Sequence, residues 1–164
     1  MKIPFSPPYI DEAVINEVFD SLRSGWITAG PKVKAFEEEI KTFSGANEVL
    51  CVNSWTSGAI MMLRWLGVTT EDEVIVPAYT YSATALAVLH AGAKPVMVDS
   101  GADFNISVEA IRKAITPRTK AIIPVDIAGF PCDYDRIMAL VTEPEIQRSF
   151  QATSTIQEKL GRIL

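Results

Sequence analysis

The sequence has 164 residues, 48% of them hydrophobic and 21% charged, with a formal net charge of -5; this is one domain's worth of chain with enough apolar material for a core. The acidic balance and the lack of a basic stripe speak against a nucleic-acid partner, and no apolar run approaches the roughly 20 residues of a membrane span. Cys51 and Cys132 stand far apart without a C-x-x-C partner, a pattern of thiols in a reducing compartment; with a Pro-rich opening too short for a secretory leader, the expectation is a cytoplasmic protein.

In chain order, Ser6-Pro7-Pro8 opens an extended arm. Asp11 is placed to cap a helix whose apolar residues Val14, Ile15, Val18, Phe19 and Leu22 share one face, with Gly25 as its stop. The run G-W-I-T-A-G-P over 25–31 reads as a loop, and Pro31 suits the first turn of a second helix. The stripe of that helix is Val33, Phe36, Ile40 and Phe43, and Gly45 ends it.

From there the pattern alternates. Residues 48–53 read as a strand and 56–66 as a helix stopped by Gly67. Residues 73–77 read as a strand and 80–91 as a helix stopped by Gly92. Residues 95–99 read as a strand and 107–115 as a helix capped by Ser107. Residues 120–125 read as a strand, and Asp133 caps a helix running toward Leu140. A polar stretch from about Pro144 to Leu160 reads as helical, and residues 161–164 as the start of another strand.

Strand–helix alternation with short, nearly all-apolar strands predicts an α/β fold: three layers, α/β/α, around a mostly parallel sheet. Residues 1–45 form an arm and helices, and 46–164 form the α/β domain. Right-handed crossovers put all strand C-termini on one edge, where ligands of open α/β sheets bind. Residues 53–58, 78–84 and 126–132 converge there. Ile163 and Leu164 begin a strand with no room to finish, so the expectation is a chain truncated within this domain; a short edge strand or frayed tail is the alternative.

The run V-N-S-W-T-S-G-A, residues 52–59, sits at a strand–helix seam. Thr56 and Ser57 offer hydroxyls and backbone N–H groups, and Gly58 would let an anion approach closely. Ser and Thr at a helix start are also ordinary N-caps, and both readings stay open here. No G-x-x-x-x-G-K-[ST] and no G-x-G-x-x-G occurs, so nucleotide hydrolysis and Rossmann dinucleotide binding lose their usual markers. The next segment, P-A-Y-T-Y-S-A-T, places Tyr79 and Tyr81 beside hydroxyls at a strand's C-terminal end. An aromatic there can pack, or lie flat on a planar ligand. A phosphate site next to a stacking aromatic suits a phosphorylated heteroaromatic compound.

Five motifs in order carry a resemblance: G-W-I-T-A-G-P-K-V-K-A-F-E, V-N-S-W-T-S-G-A, D-E-V-I-V-P-A-Y-T-Y-S-A-T, G-A-K-P-V-M-V-D and I-T-P-R-T-K-A-I-I-P-V-D-I-A-G-F-P-C-D. Over roughly residues 4 to 140 the chain resembles the DegT/StrS family of pyridoxal-phosphate-dependent sugar aminotransferases, of the aspartate-aminotransferase fold (fold type I). The resemblance implies an incomplete large domain of that fold. It implies that Thr56 and Ser57 hold the cofactor phosphate beside Gly58, that Tyr81 stacks on the pyridine ring, and that Thr28 lies in a segment near the active-site mouth. It further implies a homodimer with active sites at the interface. The reaction it implies moves an amino group, usually from glutamate, to a keto-sugar linked to a nucleotide. Two departures stand out. Trp55 occupies the place of a usual Gly and is a candidate second wall of the pocket. Asp126 occupies the place of a frequent His, which leaves it a weak substrate-contact candidate.

Transamination needs a phosphate cradle, a carboxylate that keeps the pyridine nitrogen protonated, and a Schiff-base lysine. In the family the carboxylate and the lysine lie beyond the position matching residue 164. The eight lysines present offer no substitute. Lys94 and Lys120 precede strands on the edge opposite the pocket, Lys2 is terminal, and Lys32, Lys34, Lys41, Lys113 and Lys159 lie on or near helices. All are expected on the solvated surface, and the 164 residues alone are expected not to transaminate. His90 reads as a packing or helix-end residue and lacks partners for a metal site; Asp99 reads as a turn or cap residue. The leading expectation is the cofactor-anchoring part of a sugar aminotransferase of polysaccharide or aminosugar biosynthesis. The rivals are a non-catalytic binding protein on half of this fold and a dehydrating relative using the same cofactor. An apolar exposed face would count against the first rival.

Overall fold

The run E-V-I-V-P, Glu73–Pro77, forms strand β1, and each of its residues is buried. A strand covered on both faces needs apolar side chains on both, which removes polar alternation from the sequence. The structure is a computed structural model that describes residues 7–162; Ser6 of the expected arm and the Ile163-Leu164 stub lie outside the described residues. The chain divides into two units, Met1–Cys51 and Val52–Leu164, a division slightly later than the one read at 45/46. No helix among the described residues is long and apolar enough to cross a membrane.

In the first unit, helix α1 (Glu12–Ser24) starts where the Asp11 carboxylate accepts the Val14 N–H at 3.0 Å, and it stops at Gly25 in the left-handed region. The apolar face read from spacing exists but is not covered: Val14, Ile15, Val18, Phe19 and Leu22 are 43–64% exposed. Helix α2 (Pro31–Ser44) has Pro31 in its first turn and Gly45 at its end. In the loop between them the Trp26 indole donates to the Ala29 carbonyl at 3.0 Å and lies over Gly30, where any Cβ would overlap the ring.

In the second unit β1 lies between β2 (Lys94–Val98) and β3 (Thr119–Ile122), parallel to both. Helices α3 (Trp55–Trp65) and α4 (Ala83–Ala91) cover one face, where Leu63, Leu66 and Val88 pack with Val74, Val76 and Ala121. Helices α5 (Val108–Ala114) and α6 (Tyr134–Thr142) cover the other, where Ile111, Ile137 and Leu140 pack with Ile75 and Ile122. Each fully buried Leu or Ile contributes about 1.5–3 kcal/mol. This is the expected three-layer arrangement, and Ser107 and Asp133 cap α5 and α6 as read.

Four of the expected elements need correction. Residues 48–53 form no strand. A strand exists through its ladder, and here the Cys51 N–H donates to the Glu37 carboxylate at 2.8 Å instead. The helix expected from 80 begins at Ala83, because Thr80 turns to share a 2.9 Å hydroxyl–hydroxyl bond with Thr84. The last strand ends at Ile122 rather than 125: the Ile123 N–H still donates to Ile75, but Pro124 has no N–H to continue. The polar tail is two short helices, α7 (Pro144–Arg148) and α8 (Thr155–Leu160), with Ser154 capping the second.

Lys120, expected at the surface, is wholly buried. A bulge places it there, since Glu73 pairs with Thr119 and Val74 with Ala121, leaving Lys120 over. Its ammonium lies 3.3 Å from Asp72 Oδ1, donates to the Gln151 carbonyl and sits 4.9 Å from the Phe150 ring centre. The Arg162 guanidinium also lies over Phe150, at 5.2 Å, and donates to the Thr119 and Thr116 carbonyls. The segment 149–162 thereby closes the sheet end at which β1 and β3 begin, opposite to the strand C-termini.

Candidate functional site

At the C-terminal ends of the strands, α3 begins with Ser54 as its cap. The Ser54 hydroxyl accepts the Ser57 N–H at 3.1 Å and donates to the Ser57 hydroxyl at 3.0 Å, while the Gly58 N–H reaches the Ser54 carbonyl at 3.2 Å. The cap therefore occupies Ser57 and Gly58. Trp55 and Thr56, the first two residues of the helix, are left as the amides with no carbonyl one turn back, at the positive end of the dipole.

The loop after β1 brings Thr80 and Tyr81 beside this helix end, with Thr84 following in the first turn of α4, and the loop after β3 brings Asp126; Tyr134 follows at the start of α6. Together with Trp55 and Thr56 they line an open cavity of about 650 Å³. Tyr81 is 81% exposed, with its ring free of any covering side chain. Trp55 lines the cavity without filling it and stays half-exposed.

The structure thus brings Trp55, Thr56, Tyr81 and Asp126 to one cavity. Ser57 and Gly58 do not line it; a Cβ on Gly58 would come within 3.3 Å of the Val52 side chain, so close packing accounts for this glycine. Thr28 belongs to the first unit, where it lines a cavity with Ser21, Trp26 and Lys32. Thr80, Thr84 and Tyr134 were not singled out from sequence. The i, i+4 spacing of the two threonines across the turn in T-Y-S-A-T was the signal for the first two; nothing in the sequence marked Tyr134. Tyr79 packs against Phe104 at 5.7 Å rather than facing the cavity.

Asp126 is held firmly. Its Oδ1 accepts the Cys132 N–H at 2.9 Å and the Tyr134 hydroxyl at 2.9 Å. The Cys132 N–H first, then the Tyr134 hydroxyl, hold the carboxyl below its usual range. Burial, with the neighbouring carboxylate second, pushes the Tyr134 phenol up to about 12, and burial likewise raises the Cys132 thiol. Among the described residues no lysine or arginine lines this cavity, and Asp126 is the one carboxylate that does.

The arrangement can hold an anion on the α3 amides and the Thr56 hydroxyl, and a flat ring against Tyr81. A phosphorylated aromatic compound fits both halves of that description.

The chain matches the DegT/DnrJ/EryC1/StrS aminotransferase family over residues 8–148. It is 42% identical over 139 residues to the spore coat polysaccharide biosynthesis protein SpsC of Bacillus subtilis, covering 84% of this chain and 36% of that one. Spr1654 of Streptococcus pneumoniae, described as a sugar aminotransferase and solved in its PMP form, superposes with a TM-score of 0.92 at 46% identity, over 99% of this chain and 41% of that one. The GDP-4-keto-6-deoxy-D-mannose-3-dehydratase of E. coli, solved with bound hydrated PLP, superposes with a TM-score of 0.81 at 26% identity, over 88% of this chain and 39% of that one. The chain spans about two fifths of the length of the relatives it matches.

Proposed function

The chain belongs to the DegT/DnrJ/EryC1/StrS aminotransferase family, and we propose that it is the cofactor-anchoring part of a pyridoxal-phosphate-dependent aminotransferase acting on a nucleotide-linked keto-sugar. The observation that carries this reading is the cavity itself: a capped helix N-terminus with Thr56 on one side and the uncovered Tyr81 ring on another. A polysaccharide or aminosugar pathway in the cytoplasm, a glutamate donor and a homodimer with shared active sites complete the proposal. The bare apolar face of α1 supports a role inside a larger assembly over that of a free-standing binding module.

Bound pyridoxal phosphate supplies an electron sink for a substrate carbon bonded to nitrogen. The Trp55 and Thr56 amides and the Thr56 hydroxyl would hold its phosphate, with the Ser57 and Gly58 turn shaping that helix end. Tyr81 would lie on its ring, and Trp55 would wall the cavity and exclude water. Thr80 and Thr84, bonded to each other at 2.9 Å, would fix the loop that carries Tyr81.

With no lysine on the cavity wall among the described residues, these residues bind without transferring nitrogen. Two measurements test the reading. Titrating the chain with pyridoxal 5'-phosphate should quench tryptophan fluorescence saturably, with inorganic phosphate competing; no saturable binding refutes the site. Glutamate added to the loaded chain should yield no 2-oxoglutarate, and catalytic turnover would refute the claim of inactivity. The likeness to the E. coli dehydratase supports a second reading, in which the same anchoring part serves sugar dehydration.

A further inference from the structure

We propose that Asp126 is a specificity residue that recruits a protonated amine into this cavity, with Tyr134 as the residue that positions it. The inference rests on the cofactor reading above and adds the chemistry of the ligand's other end.

The Asp126 carboxylate is split in function. Oδ1 is committed twice, to the Cys132 N–H and to the Tyr134 hydroxyl, each at 2.9 Å. The Cys132 thiol also lies against the carboxylate, but the hydrogen bonds with defined geometry among the described residues all end on Oδ1, which leaves Oδ2 able to accept, and the residue lines the cavity. Two donors on one oxygen remove the rotational freedom of the group, so its second oxygen is preorganised as an acceptor. The surroundings then choose the donor. The other lining side chains are neutral, mostly apolar or hydroxylated, and a fixed negative charge among neutral walls is best balanced by a cation. An anion is already provided for elsewhere, at the start of α3. A ligand with a phosphate at one end and an ammonium at the other satisfies both features.

The alternative role for Asp126 is to staple the turn 126–132 and nothing more. Asp126→Asn separates the two roles. The amide oxygen keeps the bonds to Cys132 and Tyr134, while an NH₂ group replaces the free oxygen and turns an acceptor into a donor. The probes are pyridoxamine 5'-phosphate and pyridoxine 5'-phosphate, which differ in carrying an ammonium or a hydroxyl on one carbon. Their affinities for the 164-residue chain are measured by calorimetry at neutral pH. Their ratio does not depend on what fraction of a variant is folded.

The wild-type chain should prefer the amine by about tenfold or more. Asp126→Asn should bring the ratio close to one, largely by weakening the amine compound. Tyr134→Phe keeps the charge but releases the carboxylate, and should lower the ratio by about threefold. A wild-type ratio near one, or a ratio unchanged in Asp126→Asn, overturns the proposal while leaving the cofactor site standing. If the wild-type chain takes up neither compound and no inorganic phosphate, the cofactor reading fails and this proposal falls with it.

Discussion

Lys120 and Asp72 face each other across 3.3 Å with both side chains wholly buried, at the end of the sheet away from the cavity. Asp72 Oδ2 accepts from the Thr69 N–H at 2.8 Å and the Thr153 hydroxyl at 2.9 Å. Oδ1 has no well-aligned hydrogen-bond donor, so the ammonium compensates it by charge. Removing one partner leaves the other charge bare in a dry site. Lys120→Met should therefore destabilise the second unit by about 3–5 kcal/mol, read from urea unfolding. Pairing it with Asp72→Asn should recover part of the loss, because neither charge then remains. Equal stability of the single variant and wild type would contradict the described burial.

Gly67 combines a backbone requirement with a contact. Its φ is +75°, and a Cβ there would lie 2.9 Å from both Cβ and Oγ of Ser154. That hydroxyl donates to the Leu66 carbonyl at 3.0 Å and caps α8. Gly129 has nearly the same φ, +78°, with open space where its Cβ would go. Both alanine variants meet a strain of about 1–3 kcal/mol, but Gly67→Ala must also displace Ser154. It should be the more destabilising of the two by thermal unfolding. Equal losses would show that α8 does not press on Gly67.

Asp126 and Tyr134 make opposite pH predictions. Asp126 ionises below the ordinary 3.8, with the Cys132 N–H as the main cause. Its contribution to stability is present above that ordinary value and is lost as pH falls through the lowered one. Tyr134 is raised from 10.0 to about 12, so its contribution is intact below about 10 and is lost as pH climbs toward the raised value. Asp126→Ala should make the acid limb of the stability curve shallower. It should also lower the Tyr134 phenolate midpoint in ultraviolet titration only in part, since burial is the larger cause. A midpoint unmoved by Asp126→Ala would separate the two groups.

Helix starts, helix stops and the central strand were legible because local chemistry decides them. Asp11, Ser107 and Asp133 cap, Gly25, Gly45, Gly67 and Gly92 stop, and E-V-I-V-P is apolar enough to be buried on both faces. Tyr81 was legible as a cavity residue because strand C-termini share an edge, whereas Thr56 lines the same cavity although the strand read before it does not form. What stayed hidden depends on partners far along the chain. Lys120 is drawn inside by a bulge and by Asp72, and residues 48–53 carry the composition of a strand without a ladder partner among the described residues. Tyr134 matters only through its 2.9 Å bond to Asp126, and the cap that takes up Ser57 cannot be told from a cradle by residue type alone.

The division of labour at the start of α3 leads to the last prediction. Thr56 lines the cavity, whereas the Ser57 hydroxyl is bonded to Ser54. Thr56→Val keeps the shape and removes one donor to a charged phosphate, so pyridoxal 5'-phosphate should bind more weakly by about 1–3 kcal/mol. Ser57→Ala should cost less, because its hydroxyl must first leave Ser54 to reach a ligand. Tyr81→Ala should weaken binding by about 0.5–1.5 kcal/mol through lost stacking without changing the affinity for inorganic phosphate, which has no ring to stack. Fluorescence titration of the three variants ranks them. A loss in Ser57→Ala larger than in Thr56→Val would move the phosphate contact to Ser57 and require the cap to open when the cofactor binds.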